Sequence, residues 1–554
     1  MLGHRHRRGD LAHRRTRQLP RGRWVIAAAA AVAVAALAAG CGGGSEVSNG
    51  NADADVGTVP DAAKEVFAKA PYETARWSYR VEDLDSGDVS LERDGGVMAQ
   101  TGSTAKLFTI ASAYGTLGTD HEIKTPVYAL GSRDGSTLDG ELVLVGMGDP
   151  TLGGRGGTEG RVDFETLDAV YASTLPGTEA TEDDPLAGLT QLAAEVKNSG
   201  LEAVSDVVVD DRLFDPFAAQ GGTVVPIFVA DNQVTITVTP TEPGQPAKAK
   251  LSPETDLYDI RVDVATVDGI GEPENPFSGK EIETEPDPDD PNKATVTGTI
   301  AADVDPTLTA FVVPDPAEFA RALFIQELEA EGVEVGAPPT AENNETGLPK
   351  PGGYSKSDLA ASYTSPPLSE FGRMILNTSY NDGANDVLCL LAVEAGSKTC
   401  TDGLSTIREL IDEAGIEKAR VALVDGQGGD PASVTPEAIV AWVRWTTEQE
   451  WGETFEQSMP VLGVSGTLKE GEEDSPARGK VAAKPGTSVH PLPDSSELFV
   501  LTEGLAGFLD TDDGAKLFSV YTGGAVFPNG LQGVLDVGAD VNAVAAAFQQ
   551  AGGG

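Results

Sequence analysis

The sequence predicts an α/β (α+β) protein of several domains, in which one mixed domain is split and its halves flank β-rich inserted modules. Three observations carry this reading. Apolar residues at helical spacing follow Ser103 and return from Leu368 onward; strand-like runs fill the stretch between; strands and a terminal helix close the chain after Gly479. A length of 554 residues supplies more than one core, and 65 Gly with 35 Pro predict many loops.

Residues 1–41 read as a signal peptide and stand outside the fold. Eight arginines between Arg5 and Arg23 form a basic start, and Trp24 to Ala39 is an apolar run short for a membrane span. It ends in Leu37-Ala38-Ala39-Gly40-Cys41, which resembles a bacterial lipobox with Cys41 as the lipidated residue. A plain signal peptide or an uncleaved anchor is the alternative. Residues 42–60 then serve as a flexible polar tether for a domain on the outer face of the cytoplasmic membrane. Without the leader's eight arginines and one aspartate, the net charge moves from −48 to −55. So acidic a chain argues against nucleic acid as a partner.

Within the folded part, Asp61 to Ala70 reads as a short amphipathic helix with Ala63, Val66 and Phe67 inward. Trp77 to Leu84 and Val89 to Leu91 form a hairpin around Asp85-Ser86-Gly87-Asp88. A helix starting at Ser103 buries Leu107, Ile110, Ala111, Tyr114 and Leu117. Strands follow at Thr125 to Leu130, Glu141 to Val145, Asp206 to Val209, Gln233 to Val238 and Lys293 to Ile300, with loops such as Pro286 to Pro291. Helices at Pro185 to Ser199 and Pro316 to Glu331 interrupt them. The helix Leu368 to Leu376 breaks at Asn377 to Gly383 and resumes from Asn385 to Ala395, and Ser405 to Ala414 and Pro436 to Thr447 are helical. The last part reads as strands Gly479 to Lys484, Leu498 to Leu501, Leu505 to Leu509 and Leu517 to Tyr521, then a helix Asp540 to Gln549.

The residue inventory restricts the chemistry. Only His121 and His490 remain once the leader is removed, and no zinc-ligand spacing or phosphate-binding loop occurs, so no metal or cofactor is predicted. Cys389 and Cys400 lie close in sequence across a helix end, and an oxidising exterior lets them form a disulfide; two buried thiols are the alternative. Ser103 and Lys106 sit three residues apart at a helix start, on one face. A serine hydroxyl becomes a nucleophile when a neighbouring neutral amine takes its proton. By itself Ser-x-x-Lys also describes many ordinary helix starts. Ser379-Tyr380-Asn381 presents a hydroxyl and an amide in a tight loop, and Lys484-Pro485-Gly486-Thr487 places a cation at a strand end, with Gly486 permitting close approach to the backbone.

Together and in this order, the three stretches resemble the serine-lysine, serine-x-asparagine and lysine-threonine-glycine set of penicillin-binding proteins and serine β-lactamases. Leu144 to Leu152, Val207 to Asp211, Val234 to Pro240, Ser365 to Glu370 and Leu462 to Leu468 look like the class C low-molecular-weight penicillin-binding proteins, the D-alanyl-D-alanine carboxypeptidases and endopeptidases. The 276 positions from Ser103 to Ser379 leave room for the insertions of that family. The resemblance implies a serine β-lactamase-like transpeptidase domain at 61–124 and 364–550, an inserted domain II at 125–156 and 294–363, and an inserted domain III at 157–293.

It further implies that Ser103 attacks the D-Ala-D-Ala bond of peptidoglycan stem peptides with Lys106 as base, and that β-lactam antibiotics acylate the same serine as covalent inhibitors. Ser379 relays a proton to the departing D-alanine and Asn381 binds the substrate's amide side. Lys484 supplies positive charge near the substrate carboxylate and helps keep Lys106 neutral by repulsion. The N–H groups of Ser103 and Thr487 form the oxyanion hole beside Gly486. Three departures stand out: Pro485 replaces a threonine, Asp425-Gly426-Gln427-Gly428-Gly429-Asp430 replaces Asp-Gly-Ser-Gly-Leu-Ser, and Thr101-Gly102 precedes the serine. The rival readings are a catalytically impaired relative acting as a cell-wall scaffold, and a β-lactamase or esterase.

Overall fold

Alternating apolar positions build the main sheet, and its two halves come from opposite ends of the chain. The computed structural model describes residues 55–552 except 157–159, 166–177, 179–183, 220–221, 272–277, 494, 496 and 529. The predicted leader 1–41, with Cys41, and most of the tether lie outside these residues. The sheet is antiparallel, in the order Val481–Pro491, Leu498–Thr511, Gly514–Gly523, Arg76–Asp83, Val89–Arg93. Arg76–Asp83 joins Gly514–Gly523 in unbroken register from Arg76 opposite Gly523 to Asp83 opposite Lys516.

Because side chains alternate along a strand, one face carries Tyr79, Val81, Leu505, Leu509 and Val520. The terminal helices Asp61–Phe67 and Leu531–Ala551 cover it through Ala63, Val66, Val541 and Phe548. The other face carries Ala506, Phe508, Leu517 and Tyr521, and packs on the helical half. At the centre of that half lies the helix Lys106–Thr116, buried at every residue from Lys106 to Tyr114. Such all-round burial suits a sequence with no polar stripe. Trp442 stacks on Phe108 at 4.9 Å and donates its indole N–H to the Leu107 carbonyl at 3.0 Å.

Several local expectations are corrected. The tether ends before residue 60, since Val56 and Glu92 exchange both backbone hydrogen bonds. Ser103 lies in a 3₁₀ turn, Gly102–Ala105, ahead of the α-helix, and Leu117 is only partly buried. The helix after Ser379 resumes at Asn381 rather than Asn385; Asp382-Gly383 reads as a turn, but burial of Gly383 and Ala384 in the helical core overrides it. Leu498–Thr511 is one strand because pairing with Val481–Pro491 continues through Thr502-Glu503-Gly504 and Gly514–Gly523 joins on the other edge from Glu503. The last helix starts at Leu531, where burial of Val537 offsets the poor helix propensity of Gly533 and Gly538. Pro286 to Pro291 is the tip of a hairpin between Lys280–Asp287 and Asp290–Ala301, not a free loop.

The insertion leaves and rejoins at one place, where Glu122–Asp134 pairs antiparallel with Leu359–Pro367. These strands belong to a five-stranded sheet ordered Glu334–Val335, Ala203–Asp210, Thr137–Val145, Glu122–Asp134, Leu359–Pro367, with the helices Ala187–Asn198 and Pro316–Ala330 packed on it. Two three-stranded sheets follow, one built on Gln233–Thr239 and Thr307–Val312, the other on Asp259–Val267, Lys280–Asp287 and Asp290–Ala301. The expected divisions at 156/157 and 293/294 therefore do not hold. Ala203–Asp210 pairs in the first sheet, and Asp290–Ala301 and Thr307–Val312 pair outside it. All share one apolar core, from Val127 to Val296, so local composition carries no boundary there.

Arg321 holds this insertion together from a fully buried site. It donates to the carbonyls of Val207 (2.7 Å), Pro338 (3.1 Å), Pro339 (3.2 Å) and Ala341 (3.0 Å) and pairs with Asp206 at 2.5 Å. Arg321→Leu strands four carbonyls, and by the cost of breaking buried pairs it should lower unfolding free energy by roughly 3 kcal/mol. Urea denaturation reads this directly; an unchanged midpoint would contradict the role.

Candidate active site

Three segments meet around Ser103: its own 3₁₀ turn, the helix starting at Asn381, and the edge strand Val481–Pro491. Gly486 lets the strand touch the turn. A β-carbon there would sit 2.3 Å from the Thr101 carbonyl oxygen and 3.0 Å from the Ser103 nitrogen, so no side chain fits. A fourth segment, the 425–429 loop, closes the site from behind. A β-carbon at Gly428, whose φ is +96°, would lie 1.9 Å from the Gly102 carbonyl oxygen.

Lys106 is fully buried, and its Nζ lies 2.7 Å from Ser103 Oγ, 2.7 Å from Asn381 Oδ1 and 3.2 Å from the Gln427 carbonyl oxygen. Burial pushes the ammonium down to about 7, against the opposing pull of Asp425 and Asp382. A neutral amine has two hydrogens and one lone pair. Asn381 Oδ1 and the Gln427 carbonyl can only accept, so they take both hydrogens and the lone pair is left facing Ser103.

Lys484 is also fully buried, with Nζ 2.9 Å from Ser379 Oγ and 3.0 Å from the Pro485 carbonyl oxygen. Burial first and the neighbouring Lys106 charge second hold it well below the usual lysine range. Desolvation leads for both lysines, and two ammonium groups side by side also repel each other. Burial is the first cause of the lowered proton affinity of Lys106. Ser379 ends the helix Leu368–Thr378 in the left-handed region, at φ 61°. That backbone is uncommon for serine and turns its hydroxyl toward Lys484.

The lysine motif sits inside the edge strand, not at its end. The Ala483 N–H donates outward to the Pro460 carbonyl at 3.0 Å. Positions 485 and 487 share its parity, so Thr487 turns its N–H to the open edge and Pro485 sits where a missing donor breaks no ladder bond. Cys389 and Cys400 are bonded, at a sulfur separation of 2.00 Å. They pack with Phe214, Val224 and Phe228 of the insertion, so the helix that carries Asn381 is anchored at its far end. His490 continues the edge strand past Thr487, with its Nε2 3.6 Å from Asp430 Oδ2.

Some contributors were missed from sequence. Asp382, next to Asn381, has its carboxyl raised by burial and by Asp231. Glu503 lies cross-strand from Thr487, and burial pushes it up to about 8. A lone acid in the apolar run from Leu498 to Leu509 was the available signal for Glu503. Asn385 and Asp425 grip the 425–429 loop; Asp425 opens a stretch noted in the sequence, while nothing in the local pattern marked Asn385.

A profile of the D-Ala-D-Ala carboxypeptidase 3 (S13) family matches residues 61–534. A D-alanyl-D-alanine carboxypeptidase of an Actinomadura species is 28% identical over 474 residues, 80% of this chain and 77% of that protein. The carboxypeptidase DacB of Haemophilus influenzae is 21% identical over 435 residues, 75% of this chain and 80% of its own. The crystal structure of penicillin binding protein 4 (dacB) from Haemophilus influenzae superposes with a TM-score of 0.64 at 19% identity. It covers 88% of this chain and 99% of its own, and shows a common fold.

Gly486→Ala is expected to push the strand off the Ser103 turn and slow acylation at Ser103 by about a hundredfold or more, as small misplacements of reacting groups do. Stopped-flow acylation with a chromogenic β-lactam measures it; a rate within threefold of wild type would contradict the packing argument.

Proposed function

The chain belongs to the D-Ala-D-Ala carboxypeptidase 3 (S13) family and is a serine-type D-Ala-D-Ala carboxypeptidase of peptidoglycan; on that premise we propose that its chemistry runs through Ser103 and Lys106. The observation that carries this assignment is the buried amine 2.7 Å from the serine hydroxyl, with its two other contacts taken by pure acceptors.

As Ser103 Oγ attacks the carbonyl carbon of the terminal D-Ala-D-Ala bond, its proton passes to Lys106 Nζ. The N–H groups of Ser103 and Thr487 stabilise the oxyanion, each such donor contributing roughly 3 kcal/mol in comparable sites. Ser379, backed by Lys484, passes its hydroxyl proton to the nitrogen of the leaving D-alanine as the C–N bond breaks, and takes in return the proton that Lys106 received, which leaves the amine neutral again. Water then attacks the acyl carbon; one of its protons passes by way of the neutral Lys106 to Ser103 Oγ as the ester bond breaks, and the shortened peptide leaves as a carboxylate. A β-lactam acylates the same oxygen by ring opening and stays attached. Lys484, held below the usual lysine range by burial, is placed to meet the substrate carboxylate with its positive charge. Pro485 supplies neither hydroxyl nor N–H to that carboxylate and weakens its grip, while the Thr487 donor remains.

Export and a lipid on Cys41 complete the proposal: the enzyme works on the outer face of the cytoplasmic membrane, where its substrate lies. Fluorescent penicillin should label the wild type, in the membrane fraction, and leave Ser103→Ala unlabelled. Purified enzyme should release D-alanine from a synthetic pentapeptide. Label on Ser103→Ala, or a wild type that neither labels nor releases D-alanine, sinks the assignment and favours a scaffold. The base must be the neutral amine, so acylation should rise with pH through a midpoint near 7 and fall away below it. A profile flat from pH 5 to 8 would rule Lys106 out as the base.

A further inference from the structure

Asn385 lies one helical turn beyond Asn381, fully buried, and touches no reacting group. Both ends of its amide are engaged by the 425–429 loop. Its Oδ1 accepts from the Gly426 N–H at 3.0 Å, and its Nδ2 donates to Gln427 Oε1 at 3.0 Å. The loop is held from two further sides. Asp425 Oδ1 accepts from the N–H groups of Gln427 (3.1 Å), Gly428 (2.7 Å) and Gly429 (3.0 Å), and Thr109 donates to the Gly426 carbonyl at 2.7 Å. What the loop delivers is the Gln427 carbonyl, 3.2 Å from Lys106 Nζ.

We propose that Asn385 is a positioning residue for the base: its side-chain amide clamps Gly426 and Gln427, so that the Gln427 carbonyl takes one hydrogen of Lys106 and the lone pair points at Ser103. The inference rests on the role of Lys106 given above. Two asparagines on one face of one helix then share the task. Asn381 holds one amine hydrogen directly, and Asn385 holds the acceptor for the other through the loop. Asn385 and Gln427 form a matched donor–acceptor pair, which gives the unexpected glutamine of the 425–430 stretch a function. Asp425 binds N–H groups of the loop, whereas Asn385 engages both the loop backbone and the Gln427 side chain.

The test compares acylation of purified variants by a chromogenic β-lactam, with active sites titrated so that only competent enzyme is counted. Asn385→Leu should acylate at least tenfold more slowly per titrated site, with little change in the dissociation constant of the initial complex. Gln427→Leu should show a similar loss, and the double variant should be no slower than either single one, as expected for two partners in one clamp. Asn385→Asp keeps the size and the acceptor for Gly426 but adds an anion to a site where Asp425 and Asp382 already act on Lys106. It should therefore move the rise of acylation with pH upward by about one unit. A residue that merely stabilised the fold would change the melting temperature or the titrated fraction and leave this profile in place. Wild-type rates and an unmoved profile in Asn385→Asp would overturn the proposal, as would losses in the two leucine variants that multiply. Should Asn385→Leu fail to fold, Asn385→Asp and Gln427→Leu decide alone. A wild type that is not acylated at all refutes the Ser103 assignment instead, so the two failures are told apart.

Discussion

A lysine amine with no access to water sets the terms for everything around it. Taking Lys106 out of solvent lowers its proton affinity, and at neutral pH that supplies a base beside Ser103. The same burial leaves the amine's hydrogens in need of acceptors, since unpaired polar hydrogens are costly in a dry site. The helix at Asn381 and the loop at Gln427 provide them from opposite sides. The catalytic direction of the lone pair is thus a by-product of satisfying a buried donor.

That constraint explains why the departures from the family pattern cluster where they do. Gln427 enters the base's surroundings through its backbone carbonyl, so its side chain is free to differ so long as Asn385 matches it. Pro485 occupies an outward-facing position on an edge strand, where a missing N–H disrupts no pairing. Gly486 has no such latitude, because the Thr101 carbonyl fills the space a β-carbon needs.

The split domain makes this geometry depend on distant parts of the chain. The edge strand that brings Lys484 belongs to a sheet completed by Arg76–Asp83, more than four hundred residues earlier. The helix that brings Asn381 is packed at its far end, through the Cys389–Cys400 disulfide, on Phe214, Val224 and Phe228 of the insertion. The insertion, with Arg321 at its heart, therefore braces one wall of the site as well as adding surface.

Motif residues and amphipathic segments were legible in the amino-acid order because they follow local rules. Three-residue spacing puts Ser103 and Lys106 on one face, and period-two alternation marks Arg76–Asp83 and Gly514–Gly523 as two-faced strands. Ser379, Asn381, Lys484 and Thr487 were readable as candidates from their motifs. The order did not show which strands of the insertion pair with which, because Ala203–Asp210 and Asp290–Ala301 both read as strands and their partners are set by long-range hydrogen bonding. Nor did it show that burial is the first cause of the lowered proton affinity of Lys106, or that Asn385 and Glu503 lie beside these residues. Those facts depend on which groups are brought together away from water, and desolvation is a property of the assembled interior that no segment carries alone.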